Sequence, residues 1–183
     1  MCILFLKKHA RSVFWMKHNR NDARPETEKK AARKAPMKEI VPLIEETVKQ
    51  DGTFRLITAG TSMKPLLRDR MDTVVLTKAH FPLKRYDIPL YRRAGGQYVL
   101  HRVMKCEKDK TYTLCGDNQL MLEKGIKEDA IIAVACEIER GGKTIRFDSI
   151  AYSIYVFFWC RCFFIRTFCL KLRSVYGKIK IKK

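Results

Sequence analysis

The apolar positions change their period along the chain. Over residues 38–50, Lys-Glu-Ile-Val-Pro-Leu-Ile-Glu-Glu-Thr-Val-Lys-Gln, the residues Ile40, Leu43, Ile44 and Val48 recur at near-helical spacing. Pro42 is tolerable in a first turn and Asp51-Gly52 supplies a stop, so the spacing predicts a short amphipathic helix. After it come runs of β-branched and aromatic residues: Thr53 to Thr58, Thr73 to Thr77, Ile88 to Tyr91, Tyr98 to Met104, Thr111 to Leu114, Ala130 to Ile138 and Lys143 to Phe147. Ala94-Gly95-Gly96 and Gly141-Gly142 fall between such runs at hairpin spacing. A mainly β, antiparallel domain over residues 37–149 is expected.

The pattern changes again at Ile150. Residues 150–170 are rich in Phe, Ile and aromatic residues and long enough to cross a bilayer, but Arg161 and Arg166 interrupt them. Each central Arg costs roughly 2.5–3.5 kcal/mol on insertion scales, while each Phe or Ile returns only about 0.3–0.6, so a helix lying in the interface competes with a span. The basic tail that follows suits a cytoplasmic flank or anionic lipid, and both alternatives put 150–183 at a membrane, in bacterial terms the cytoplasmic membrane. A helix docked on the body with solvated arginines is the third alternative.

Charge sharpens the division. The formal net charge is +19, which on its own invites a nucleic-acid partner. Residues 1–36 hold ten Lys/Arg against three Asp/Glu, residues 37–149 hold 20 against 16, and residues 150–183 hold eight against none. A nucleic-acid-binding domain carries its excess on the folded body, and here the excess is at the two ends. No nucleic-acid partner is expected. Residues 1–36 read as a disordered basic leader, or as sequence ahead of a start at Met37. The seven cysteines form no Cys-x-x-Cys pair, so neither a metal site nor any other cofactor is implied.

Chemistry concentrates in three places. Ala59-Gly60-Thr61-Ser62-Met63-Lys64-Pro65 follows a predicted strand and exposes a serine on a tight turn, where backbone N–H groups can face an oxyanion. An ordinary β-turn explains the same residues. A serine hydroxyl needs a base. Of four histidines, His101 alone lies in a strand pattern, and alternation puts it on one face with Val99 and Val103. A core histidine bonded to a carbonyl is the structural alternative. Asp117 in Gly116-Asp117-Asn118 is a candidate to orient the imidazole, or a turn aspartate bonding its own backbone.

Taken together, Gly60-Thr-Ser-Met-Lys-Pro-Leu, Tyr86-Asp-Ile-Pro-Leu-Tyr, Val99-Leu-His-Arg-Val and Gly116-Asp-Asn resemble, in order and approximate spacing, the boxes of the signal peptidase I superfamily, whose fold is shared with self-cleaving repressors. Histidine stands where the bacterial type has lysine, so the resemblance implies the endoplasmic-reticulum-like Ser/His form. It implies a signal-peptidase-like β domain preceded by a short helix, with Ser62 as nucleophile, His101 as base and Asp117 as orienting acid. The oxyanion would be met by the Ser62 N–H, with Thr61 as a second contributor, and the substrate by Met63 and Pro65. The partner it implies is a leader peptide or precursor protein. Glu123 or Asp129 fits only loosely the second acidic position that often follows the Gly-Asp-Asn box. A catalytically idle, peptide-binding member of the same fold is the competing expectation.

Overall fold

In the computed structural model, residues 3–6, 34–162 and 164–172 are described. The architecture is mainly antiparallel β, a curled half-barrel sheet with a few helices. The elements are β1 (Ile3–Leu6), β2 (Lys34–Pro36), α1 (Met37–Lys49), β3 (Phe54–Ile57), β4 (Thr73–Thr77), β5 (Pro89–Arg92), β6 (Tyr98–Leu100), β7 (Arg102–Cys106), β8 (Tyr112–Cys115), β9 (Glu123–Ile126), β10 (Ile131–Arg140), β11 (Lys143–Arg146) and α2 (Ile150–Tyr155). A π-helical stretch, Val156–Arg161, continues α2, and α3 (Phe164–Leu172) follows it at a bend of 77°. No single described helix is long and apolar enough to cross a membrane.

The large sheet runs β2-β1-β3-β4-β10-β5-β6, with β11 paired to β10, and a second sheet runs β7-β8-β9. The long β10 joins the halves. Its first residues pair with β5 and its later ones with β4 and β11, with register shifts between Ile131 and Ala133 and between Ala135 and Glu137. Such bulges bend and twist a strand, which lets one ribbon serve two neighbours and curl the sheet.

Helix α1 buries Met37, Ile40, Val41, Ile44 and Val48 against the sheet, where Leu56, Val74, Leu76 and Ile138 complete the main core. Full burial of each Ile stabilises by roughly 1.5–3 kcal/mol. Because the helix begins at Met37, Pro42 falls in its second turn rather than its first. A smaller core of Leu83, Tyr91, Val103, Tyr112 and Leu114 lies between the sheets.

Three expectations need correction. The segment expected to be a disordered leader contributes β1 and β2, which extend the sheet beyond β3, while residues 7–33 lie outside the described residues. The run Tyr98 to Met104 is two strands: β6 pairs with β5 in one sheet and β7 with β8 in the other, and His101 is the single residue between them. Val99 and Val103 do share the small core, as alternation implied. Strand β9 was absent from the predicted set, because Glu-Lys-Gly-Ile carries neither alternation nor β-branched enrichment.

Candidate active site

Ser62 sits on the loop between β3 and β4, and the loop is held at both ends. Gly60, at φ 121°, adopts a conformation that L side chains rarely take, and its N–H donates to Asp69 Oδ1 at 2.7 Å. Met63, Leu66 and Leu67 anchor the middle in the main core. Asp72, fully buried, accepts from the Arg68 backbone at 2.9 Å and from the Arg68 and Arg140 guanidiniums. Burial opposes its charge, yet these hydrogen bonds win and hold the carboxyl below its ordinary range.

The Ser62 carbonyl accepts from the Asn118 N–H at 2.7 Å, which pins the serine loop to the Gly116-Asp117-Asn118 turn. The loop's own bonds are made by the N–H groups of Lys64, Leu67 and Arg70. The Ser62 N–H donates to no protein acceptor among the described residues. It is therefore open to an oxyanion. Thr61 is exposed.

His101 is buried, and its two ring nitrogens differ. Nδ1 lies 3.1 Å from Glu123 Oε1 and 3.2 Å from the Tyr91 hydroxyl. Nε2 is buried with no hydrogen-bond partner among the described residues. Burial, the largest cause, lowers the imidazole pKa to about 4 despite the nearby Glu123 carboxylate, so at neutral pH the ring is uncharged. Because Tyr91 donates its own proton to Glu123, its oxygen is the acceptor for Nδ1–H, with the Glu123 carboxylate beside it, and the Nε2 lone pair is free to accept a proton.

Glu123 is itself fixed. The Tyr91 hydroxyl donates to its Oε2 at 2.7 Å, Arg93 Nε donates to the same oxygen at 2.8 Å, and Arg93 Nη2 bonds Oε1. Burial works against the carboxylate, but the bonds from Arg93 and Tyr91 outweigh it and keep the pKa low. Burial, followed by the neighbouring carboxylate, pushes the Tyr91 phenol well up, so it remains a donor.

Gly116 occupies the junction. A Cβ there would stand 2.6 Å from the Ser62 carbonyl oxygen, 2.9 Å from Gln119 Oε1 and 3.0 Å from His101 Nε2. Serine loop, histidine and turn thus converge where only glycine fits. Ser62 and His101 both line a cavity of about 440 Å³, which Arg93, Gln97 and Gln119 also border. Ser62 also lines an apolar recess of about 40 Å³, bordered by Leu56, Ala59, Met63, Leu67, Leu90 and Leu100 among others.

The structure places Ser62 and His101 in the wall of one cavity, with no hydrogen bond between them, and takes Asp117 elsewhere. The Asp117 carboxylate receives Arg102 Nε at 2.8 Å and Arg102 Nη2 at 2.7 Å, and Tyr155 donates to its Oδ2 at 2.8 Å. Arg102 and Asp117 are both fully buried. This bidentate pair consumes the side chain that was expected to orient His101, and Tyr91, beside Glu123, makes the contact instead. Of the two expected substrate contacts, Met63 lines the apolar recess, whereas Pro65 is exposed and borders neither cavity. Arg93 carried no sequence signal, and Tyr91 only its place at the end of the Tyr86–Tyr91 box, because their relation to Glu123 spans about thirty residues of chain.

No family model, curated protein or solved structure matches the chain.

Proposed function

We propose that the protein is a serine endopeptidase of the signal-peptidase-like, Ser/His type, acting on leader peptides or precursor proteins. The observation that carries this reading is the free, buried Nε2 of a neutral His101 in the wall of a cavity that Ser62 shares. His101 takes the Ser62 hydroxyl proton, Ser62 attacks the peptide carbonyl, and the Ser62 N–H meets the developing oxyanion. The imidazolium then protonates the leaving amine, and the acyl-enzyme is hydrolysed by a water that His101 activates. Tyr91, itself bonded to Glu123, holds the imidazole in the required tautomer, and the Glu123 carboxylate stabilises its charged form.

The 40 Å³ apolar recess beside Ser62 suits a small side chain on the acyl side of the cut. Signal-peptidase-like fold, peptidase activity and association of residues 150–183 with the cytoplasmic membrane belong to the same reading. The test is processing of a co-expressed leader peptide by the native chain, Ser62→Ala and His101→Ala. Loss of cleavage in both variants supports the enzyme. Unchanged cleavage in Ser62→Ala, or peptide binding with no turnover by the native chain, assigns the fold to a non-catalytic peptide binder.

A further inference from the structure

The C-terminal helices have two unlike sides. One side is bonded to the site. The Trp159 indole donates to the Asp117 carbonyl at 2.9 Å, and Arg102 Nη1 donates to the Tyr152 hydroxyl at 2.7 Å. Arg166, fully buried, reaches Cys115 Sγ at 3.1 Å and also bonds the Gly116 and Gln119 carbonyls. The exposed residues on these helices are mostly apolar: Ile150, Ile154, Phe157, Phe158, Phe164 and Phe168 range from about half to four-fifths exposed, with Ser153, Arg161 and Lys171 exposed among them. Beside them the loop at Leu120, Met121 and Leu122 is also exposed, and the bond from Cys115 Sγ to the Met121 carbonyl at 3.3 Å keeps it next to Arg166.

A cleft of about 350 Å³ adjoins the apolar side. Arg85 and Arg161 border it, lying over the Tyr86 and Phe157 rings, and neither is paired with a carboxylate among the described residues. Asp87 also borders the cleft, but its carboxylate already accepts the Lys84 N–H at 2.7 Å. Residues 150–183 contain eight Lys/Arg and no acid. Apolar side chains, unpaired guanidiniums and a basic tail together match an anionic phospholipid surface, with acyl chains below and phosphates at the level of Arg85 and Arg161.

We infer that residues 150–172 lie in the plane of an anionic membrane surface as a bent clamp, gripping the Gly116–Gln119 turn with one side and lipid with the other. A span would pull Arg166, Trp159 and Tyr155 off the body and carry two arginines into hydrocarbon. In-plane docking keeps every one of those bonds. It also sets the mouth of the catalytic cavity, which Gln119 borders, at a fixed distance from the bilayer. The inference rests on the membrane association proposed above and not on catalysis.

The test uses the full chain carrying Ser62→Ala, so that binding is read apart from turnover. Co-sedimentation with phosphatidylglycerol-containing vesicles is expected, with little binding to pure phosphatidylcholine. Arg85→Ala with Arg161→Ala should weaken it about tenfold or more. Phe157, Phe158, Phe164 and Phe168 changed together to Ser should weaken it about a hundredfold or more, with an unchanged circular dichroism spectrum. A tag at residue 183 should stay open to external protease on sealed vesicles. Protection of that tag overturns the in-plane placement. No binding to anionic vesicles, or binding indifferent to both sets of changes, overturns lipid as the occupant. A dimer that the Phe changes abolish, without lipid binding, assigns the face to a second copy. None of these failures touches leader-peptide processing, and loss of that reading alone leaves vesicle binding intact.

Discussion

At His101 the useful property is asymmetry. One nitrogen is held by the Tyr91 hydroxyl beside the Glu123 carboxylate and the other is left bare, while burial keeps the ring neutral down to about pH 4. A base that must be unprotonated loses activity only when the medium protonates it. The acid limb of kcat/KM should therefore fall near pH 4 and not near the ordinary histidine value of about 6.5. A limb measured at 6.5 would show that the site is wetter than this burial implies.

The two acids near the site should separate cleanly by substitution. Glu123→Gln keeps the shape but removes the charge that favours imidazolium, and is expected to lower kcat by about 10²-fold or more with KM little changed. It should lower the urea midpoint less than Asp117→Asn does, because the Arg93 partner it releases is partly exposed to water. Asp117→Asn, by contrast, strands the Arg102 guanidinium and should cost about 3–5 kcal/mol of stability, seen as a lower midpoint in urea. Steady-state kinetics and urea titration on the same two variants check both statements. Equal effects on kcat and on stability in the two variants would refute the division of labour. Ser62, His101 and the Gly116 turn were legible in the sequence because each occupies a short box. Glu123 was legible only as a loose fit to a second acidic position, since its contacts with His101, Tyr91 and Arg93 arise only when β5 and β9 come together in space.

Among elements, α1 and the glycine hairpins were readable from period and turn chemistry, which are local. The division at His101 was hidden for the opposite reason. An alternating pattern continues through Val99, His101 and Val103, and nothing local says that the strand changes sheets there. The consequence for packing runs through the next residue. Arg102 sends Nη1 to Tyr152 and to the Tyr86 carbonyl, and its other nitrogens to Asp117, so one guanidinium joins β7, the Gly-Asp-Asn turn and α2. Lysine keeps the charge but cannot reproduce that fork. Arg102→Lys is thus expected to lose about 2–4 kcal/mol and to expose the amides of α2 to hydrogen exchange well before those of β4 and β10. Uniform loss of protection across all three elements would mean that α2 does not depend on this residue.

For the whole molecule, acid should be destabilising well before the carboxylates that set the surface charge are neutralised. His101 has a folded pKa near 4 against about 6.5 unfolded, so between those values the unfolded chain binds a proton that the native protein refuses. Stability then rises with pH across that window and is lost as pH falls through it. Glu123 and Asp72, whose carboxyls are held low by hydrogen bonds from Arg93, Tyr91, Arg68 and Arg140, act in the same direction lower on the scale. Their contribution is present above the unfolded carboxylate range and disappears as pH drops below it. Asp87 works the other way, because burial raises its carboxyl, but it is one group against three. The His101 contribution alone amounts to about 2–3 kcal/mol between pH 7 and pH 4.5. Urea titrations at the two pH values should show that loss in the native chain, and His101→Gln should remove most of the difference. A native chain equally stable at both values would mean that His101 protonates as readily in the fold as outside it, and would take with it the neutral base on which the proposed chemistry depends.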